Sequence, residues 1–321
     1  MTCSLYQLVV NEINNHLPHV FWCPTGQLTF LPLHAAGIYG SHAPQQAIGI
    51  FSKIFNVKLF TRVFKAICFL PHYTAGIYGP SDPCLATNML ELAVSSYTPT
   101  LTALLNPIIQ QQELQVHEPR VVIVSQEHTP GQHRLPGTIK EAEFIQKKIL
   151  NKNCIHLEGR QATVSAVLKE ISTSQWVHLA CHGIQNAMDP LKSSFVLHDG
   201  TLDLENLIKA PVNHAQLAFL SACQTATGNV KLPEEAVHLT AGMLATGFSS
   251  VVGTMWSICD EDAPILTQSF YSKLVGKGIY SEKKNGQLQV AYALHDAVKE
   301  LRKKVGEKNF ERWVPFVHFG L

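Results

Sequence analysis

From residue 120 onward, short runs of β-branched and apolar residues alternate with amphipathic stretches. This alternation predicts a mostly parallel β-sheet covered by helices. Strands are predicted at 121–124, 154–157, 176–181, 216–222, 251–256 and 315–319, and helices at 138–150, 163–171, 234–246, 262–274 and 287–305, the second of these capped by Thr163. Ala142, Ile145 and Ile149 share one apolar face of the first helix. A small hairpin is predicted at 195–204, because Asp199-Gly200 suits a tight turn.

The N-terminal third has a weaker pattern and an internal repeat. The sequence Ala-Gly-Ile-Tyr-Gly occurs at 36–40 and again at 75–79. Two copies are too few for a solenoid, so a local duplication or an insertion is expected. Between the copies, residues 48–69 are apolar but interrupted by cations, which favours a surface helix packed on the domain. The alternative is contact with an anionic membrane or a partner protein.

Composition narrows the class of protein. The chain has 321 residues, a formal net charge of +1 and eight irregularly spaced cysteines. This charge does not favour nucleic acid as a partner. The cysteine spacing is typical of reduced thiols in a cytoplasmic protein rather than of a disulfide framework. Polar residues at 11–15 interrupt the N-terminal apolar stretch and no apolar run reaches about 18 residues, so neither a secretory signal nor a spanning helix is expected.

Two predicted strands each end at a reactive side chain. His182 follows the apolar strand at 176–181, and Cys223 follows the strand at 216–222. Functional groups of open parallel sheets collect beyond the carboxyl ends of the strands. If these strands are neighbours, about 4.8 Å apart, the imidazole and the thiol can reach each other.

Such a pair suits nucleophilic catalysis. A thiol with a pKa near 8.5 is mostly protonated at neutral pH, and a nearby imidazole can accept its proton. We therefore predict His182 as the general base and Cys223 as the nucleophile. The oxyanion formed by attack on a carbonyl needs preorganised donors, and the backbone N–H groups of Gly183 and Cys223 are the candidates.

Each residue also has a simpler interpretation. A cysteine after an apolar strand is commonly a small buried hydrophobe, and only the combination of the two motifs favours catalysis. A zinc site built from His178, Cys181, His182 and Cys223 is disfavoured, because His178 and His182 would lie about 13 Å apart along a strand. No metal and no cofactor are expected.

Three sequence blocks resemble the CHAT domain family, and in particular its fungal members. They are His-Leu-Ala-Cys-His-Gly at 178–183, Leu-Ser-Ala-Cys-Gln-Thr at 220–225 and Val-Val-Gly-Thr-Met-Trp at 251–256. The resemblance extends to 22–26, 31–37, Leu135-Pro136-Gly137 with Glu141, and 313–320. It implies the caspase-haemoglobinase fold, a mostly parallel sheet with helices on both faces. It also implies a cysteine endopeptidase with a dyad at His182 and Cys223, acting on proteins in a regulated cell-death or signalling pathway. Tetratricopeptide-repeat or other regulatory partners are expected.

Several points stay open at the level of sequence. About 40 residues separate blocks that are nearly adjacent in the family, so residues 1–119 are expected to form an N-terminal part with an insertion near 38–80, and 120–321 the catalytic part. Trp256 and Asp260 are candidate substrate-binding residues, and an acidic wall there would favour a basic residue in the substrate. The alternative is that the carboxylates at 260–262 cap the following helix. A catalytically inactive scaffold or protein-binding module is the alternative function.

Overall fold

The computed structural model describes residues 6–10, 17–24, 31–36, 88–100, 119–149, 153–186, 189–210, 212, 215–224, 238–275 and 289–320. The strands are β1 (Tyr6–Val10), β2 (His19–Cys23), β3 (Val94–Tyr97), β4 (Val121–Ser125), β5 (Cys154–Glu158), β6 (Trp176–Ala180), β7 (His182–Ile184), β8 (Ser194–Val196), β9 (Thr201–Asp203), β10 (Leu217–Leu220), β11 (Cys223–Gln224), β12 (Ser250–Thr254) and β13 (Phe316–Gly320). The helices are α1 (Met89–Leu92), α2 (Gly137–Lys148), α3 (Val164–Thr173), α4 (Leu204–Lys209), α5 (His238–Ala245), α6 (Asp262–Val275), α7 (Val290–Val305) and α8 (Phe310–Trp313).

The described strands form two sheets. The larger has nine strands in the order β1-β2-β3-β13-β12-β10-β6-β4-β5, and the smaller has four in the order β11-β7-β8-β9. In the larger sheet β1–β2 and β12–β13 are antiparallel and the other neighbours are parallel. The predicted mostly parallel sheet is therefore confirmed. The predicted hairpin is also present, since β8 and β9 pair antiparallel around the turn at Asp199-Gly200.

Helices cover both faces of the large sheet. From β4, α2 leads outward to β5, and α3 leads back across β4 to β6. Because both crossovers join parallel strands and such connections are right-handed, opposite directions of travel place the two helices on opposite faces. Helix α6 packs against α2 on that face, and α7 packs against α6. The predicted apolar face of α2 is buried: Ala142 and Ile145 are fully covered and Ile149 nearly so.

The signals predicted at the start of α3 and at the end of α7 are present in the structure. The Thr163 side chain accepts a hydrogen bond from the backbone N–H of Ala166 at the start of α3. This is the usual N-cap geometry, worth about 1 kcal/mol. Helix α7 ends at Gly306, whose φ of 94° lies in the region that favours glycine. The basic turn at 302–304 precedes it, where cations oppose the negative end of the helix dipole.

The N-terminal part joins the same sheet through β2 and β3. The backbone N–H of Met89 donates to the carbonyl oxygen of Ala36 at 2.7 Å. The two ends of the segment 37–87 are therefore adjacent, as expected for an insertion between neighbouring elements, and the insertion remains a prediction. The predicted amphipathic helix at 48–69 lies outside the described residues. Among the described helices, none combines the length and the apolar character that crossing a bilayer requires.

Candidate active site

The predicted site lies where two neighbouring strands leave the large sheet and enter the small one. Strand β6 continues as β7 after a bend at Cys181, and β10 continues as β11 after Ser221 and Ala222. The register is the same on both sides of the break. Phe219 pairs with His178 in the large sheet and Cys223 pairs with His182 in the small one, each pair separated by 41 positions. The segments β6–β7 and β10–β11 thus form one parallel two-stranded ribbon that runs through both sheets.

The predicted strand at 176–181 corresponds to β6 (Trp176–Ala180), but the chain then continues as β7 in the second sheet, a strand that the sequence did not predict. The bend at Cys181 separates β6 from β7, and this thiol is fully buried in the core. A hydrophobic pattern predicts burial of both strands equally well, and it carries no sign of a change of sheet. The change of sheet matters for the site because it directs the chain at His182 away from the main core layer.

His182 has a defined orientation. Its side chain is 4% exposed, and its Nε2 lies 2.7 Å from the backbone carbonyl oxygen of His133. Since a carbonyl oxygen can only accept, Nε2 carries the proton in this hydrogen bond. In the neutral ring the other nitrogen, Nδ1, then has a lone pair. Nδ1 is buried and has no hydrogen-bond partner among the described residues.

The contact between His182 and the His133 carbonyl was not predicted from the sequence. This carbonyl belongs to the loop between β4 and α2, which begins at the same end of the sheet as His182. The loop is held by a backbone hydrogen bond from Leu135 to Glu127 and by the Arg134–Glu127 ion pair at 2.6 Å. A backbone carbonyl has no residue-type signature. The only signal available in the sequence was the position of the loop after a parallel strand.

Cys223 is paired with His182 through the backbones of β11 and β7. Paired residues of adjacent strands lie about 4.8 Å apart in the hydrogen-bonding direction. The side chain of Cys223 lies outside the described part of the chain, so its role as the nucleophile stays a prediction.

Gly183 occupies the inner strand of the small sheet. Its neighbours are Phe195 of β8 on one side and Gln224 of β11 on the other. It is buried and directly follows His182, so its backbone lies beside the predicted dyad. The oxyanion hole formed by Gly183 and Cys223 stays a prediction.

The two candidate substrate-binding residues both have structural partners. Trp256 is 9% exposed, and its Nε1 donates to the backbone carbonyl of Glu311 at 3.1 Å. The half-buried Asp260 accepts a hydrogen bond from the backbone N–H of Gly137 at 2.7 Å, and so caps α2. Burial raises the pKa of Asp260, the Gly137 N–H opposes this change, and the charge of Glu141 adds to it.

The alternative role of the carboxylates at 260–262 was capping of the helix that follows them. One of them does cap a helix, but it is a different helix. Asp260 caps α2, which precedes it by more than 100 residues, while Asp262 is the first residue of α6. Asp262 is fully buried and forms a bidentate ion pair with Arg312, at 2.8 and 2.5 Å. Gly137 is required at its position because a Cβ there would overlap the Asp260 backbone carbonyl and come within 2.8 Å of Oδ1. The substrate-binding role of Trp256 and Asp260 stays a prediction.

His178 does not share the surroundings of His182. Its ring is fully buried, stacks on Phe219 with ring centroids 4.9 Å apart, and places Nδ1 3.3 Å from the hydroxyl of Tyr271. Its Nε2 lies 3.3 Å from the carboxylate of Glu141, without the geometry of a hydrogen bond. The part of the chain that the structure describes contains no group of three or more metal-ligating side chains.

Comparison with known sequences identifies a family. The CHAT domain model matches residues 79–321. The match includes both segments of the predicted site and begins after the blocks at 22–26 and 31–37. The curated proteins contain no match to this sequence.

Comparison with solved structures finds similar chains at low sequence identity. The Arg-specific cysteine proteinase gingipain R is 9% identical, with a TM-score of 0.53 over 74% of this chain and 56% of that chain. The Porphyromonas gingivalis RgpB pro- and mature-domain complex is 10% identical, with a TM-score of 0.48 over 72% of this chain and 56% of that chain. Separase from the Saccharomyces cerevisiae separase–securin complex is 18% identical, with a TM-score of 0.49 over 73% of this chain and 14% of that chain. The similarity to gingipain R confirms the predicted fold, a caspase-like, mostly parallel sheet flanked by helices.

Proposed function

Since the chain belongs to the CHAT domain family, we propose that it is a cysteine endopeptidase that hydrolyses peptide bonds of protein substrates with His182 and Cys223 as its catalytic dyad. The chain has the fold of caspase-like peptidases. The observation that carries the proposal is the in-register pairing of His182 with Cys223 in the small sheet. This backbone pairing joins residues from two separate sequence motifs and supports the proposed dyad.

The orientation of His182 supports its role as the base. The hydrogen bond from Nε2 to the His133 carbonyl selects one tautomer, in which Nδ1 is the proton acceptor. Leaving a buried imidazole nitrogen without a partner among the described residues costs free energy. In this proposal the thiol of the paired residue Cys223 is the missing partner.

The proposed reaction proceeds in two steps. The Nδ1 atom of His182 accepts the thiol proton, and Sγ of Cys223 attacks the carbonyl carbon of the substrate. The C–N bond then breaks, the imidazolium returns its proton to the leaving amine, and a thioester remains. Water, deprotonated by the same nitrogen, hydrolyses the thioester and releases the acid. In this proposal the backbone N–H groups of Gly183 and Cys223 donate to the oxyanion in both steps.

An active-site-directed probe tests the dyad. We expect a peptidyl acyloxymethyl ketone to modify the wild-type chain at Cys223, as located by mass spectrometry of the digested protein. Labelling should disappear in Cys223→Ala and fall at least about 100-fold in rate in His182→Ala, because without the base the thiolate is scarce. An unlabelled wild-type chain that is folded by circular dichroism would instead favour the non-catalytic binding module.

For the substrate we propose a protein with a basic residue at the cleavage position. Asp260 keeps a partly exposed carboxylate on the loop after β12, at the end of the sheet where the dyad residues follow their strands. Gingipain R is likewise described as Arg-specific. The biological pathway proposed from the family resemblance is regulated cell death or signalling in the cytoplasm.

Peptide-library profiling of Asp260→Asn tests this preference. The asparagine Oδ1 can still accept the Gly137 N–H and preserve the cap of α2, while the negative charge is lost. We expect cleavage after Lys or Arg to fall about tenfold relative to neutral residues. An unchanged preference in Asp260→Asn would remove this residue from the specificity site.

A further inference from the structure

A buried carboxylate lies beneath the point where the two ribbon strands leave the large sheet. Glu141 of α2 is 1% exposed. Its Oε1 accepts a hydrogen bond from the Ser221 hydroxyl at 3.0 Å, and its Oε2 accepts one from the Thr267 hydroxyl at 2.5 Å. Oε2 also lies 3.3 Å from Nε2 of His178. The carboxylate thus contacts three segments of the chain besides its own helix.

Two of these contacts are to the strands that carry the predicted dyad. Ser221 lies between β10 and β11, two residues before Cys223, and is 5% exposed. His178 belongs to β6, four residues before His182. The third contact, Thr267, is fully buried on α6. This helix does not directly follow either of the two strands in the sequence. Glu141 therefore joins both dyad strands to the helix layer on one face.

The environment makes this arrangement rigid. A carboxylate buried in apolar surroundings is stabilised only if its oxygens are paired. Here the Ser221 hydroxyl donates to one carboxylate oxygen and the Thr267 hydroxyl to the other, while the His178 ring, stacked on Phe219, lies 3.3 Å away without a hydrogen bond to it. Buried polar networks with this degree of pairing specify one local geometry. The hydroxyl of Ser221 is the member of the network closest in sequence to the predicted nucleophile.

We propose that Glu141 is a positioning residue that, through Ser221, sets where the chain enters β11 and hence where Cys223 lies relative to His182. The proposal rests on the proposed function. Its physical basis is that a displacement of about 1 Å in a reacting group can cost about 100-fold in rate. Glu141 and Ser221 do not touch the substrate in this proposal. They fix the backbone that carries the reacting thiol.

A matched pair of variants separates positioning from general stability. Ser221→Ala and Thr267→Val each remove one hydroxyl from the same carboxylate, and each leaves that carboxylate with one hydroxyl donor. We expect both to lower the midpoint of thermal unfolding by similar amounts. Only Ser221→Ala should lower kcat, by about tenfold with little change in KM, while Thr267→Val should stay within about twofold of the wild type.

The rate of Cys223 alkylation by iodoacetamide provides a second measurement that does not depend on peptide hydrolysis. We expect it to fall about tenfold in Ser221→Ala and in Glu141→Ala, to remain near the wild-type value in Thr267→Val, and to be partly restored in Glu141→Gln, whose amide oxygen can still accept. Equal alkylation rates in Ser221→Ala and Thr267→Val would overturn the positioning role. If this difference is found in a chain that hydrolyses no peptide, the peptidase proposal fails and the positioning of Cys223 stands.

Discussion

Cys223→Ala is expected to lower kcat/KM for peptide hydrolysis by at least about 10³-fold. Without the sulfur no thioester forms, and only binding and the oxyanion donors remain to accelerate attack by water. His182→Ala should cost a comparable factor, because the Nδ1 lone pair that the His133 carbonyl orients is then missing. The measurement is steady-state hydrolysis of a peptide selected from a library.

The double variant and a control cysteine sharpen this prediction. Substitutions of residues that act as a unit have non-additive effects on the rate. The double variant Cys223→Ala with His182→Ala should therefore have a kcat/KM only slightly lower than either single variant. Cys259→Ser, which alters an exposed cysteine on the loop after β12, should retain activity. Activity that survives in Cys223→Ala, or that is lost equally in Cys259→Ser, would contradict the assignment of the nucleophile.

Acidification is expected to destabilise the folded chain by about 3 kcal/mol or more between pH 6.5 and pH 4. Burial lowers the pKa of His19, His34 and His295 to about 4 and that of His318 to about 3. These histidines lie on β2, the segment 31–36, α7 and β13. The Ser96 hydroxyl lies 2.6 Å from both His19 and His318, while His34 contacts the Tyr97 hydroxyl and the Val314 carbonyl.

The direction of this stability change follows from proton binding to the folded and unfolded chains. Below pH 6.5 the unfolded chain protonates these imidazoles, while the folded chain keeps them neutral down to about pH 4. The stability present above pH 6.5 is therefore lost as the pH falls. The charges that face His295 modify its pKa, with Lys299 lowering it and Asp296 and Glu91 raising it.

Denaturant unfolding at pH 7, 6 and 5.5 measures this effect in a range where ordinary carboxyl groups scarcely titrate. The His34→Gln variant, whose amide can replace both hydrogen bonds of the ring, should show a smaller loss over the same range. A free energy of unfolding that does not change between pH 7 and pH 5.5, or a slope unaltered by His34→Gln, would contradict the prediction.

Local patterns in the sequence were sufficient to predict most of the helices and strands after residue 120. The buried run at β4, the Thr163 cap and the apolar face of α2 follow from propensity and periodicity, which involve residues close together in the chain. The positions of His182 and Cys223 after two parallel strands also follow, since chain order alone places both at the same end of the sheet.

Other features depend on contacts between distant segments. The His133 carbonyl reaches His182 across 49 positions, Asp260 reaches Gly137 across 123, and Ser221 reaches Glu141 across 80. None of these pairs leaves a periodic or spacing signal, because each results from the way loops and helices meet around the sheet. The bend at Cys181, after which the chain passes from the large sheet into the small one, belongs to the same class.

The sequence by itself therefore determined the fold class, the order of the main elements and the two motifs proposed to carry the chemistry, because each depends on short-range hydrophobic periodicity and residue type. The tertiary structure alone decided which nitrogen of His182 is available, how β6 and β10 continue into the second sheet, and which buried carboxylate joins them. Those properties depend on hydrogen bonds between residues far apart in the chain, whose pairing is settled only when the sheet and its helices pack together.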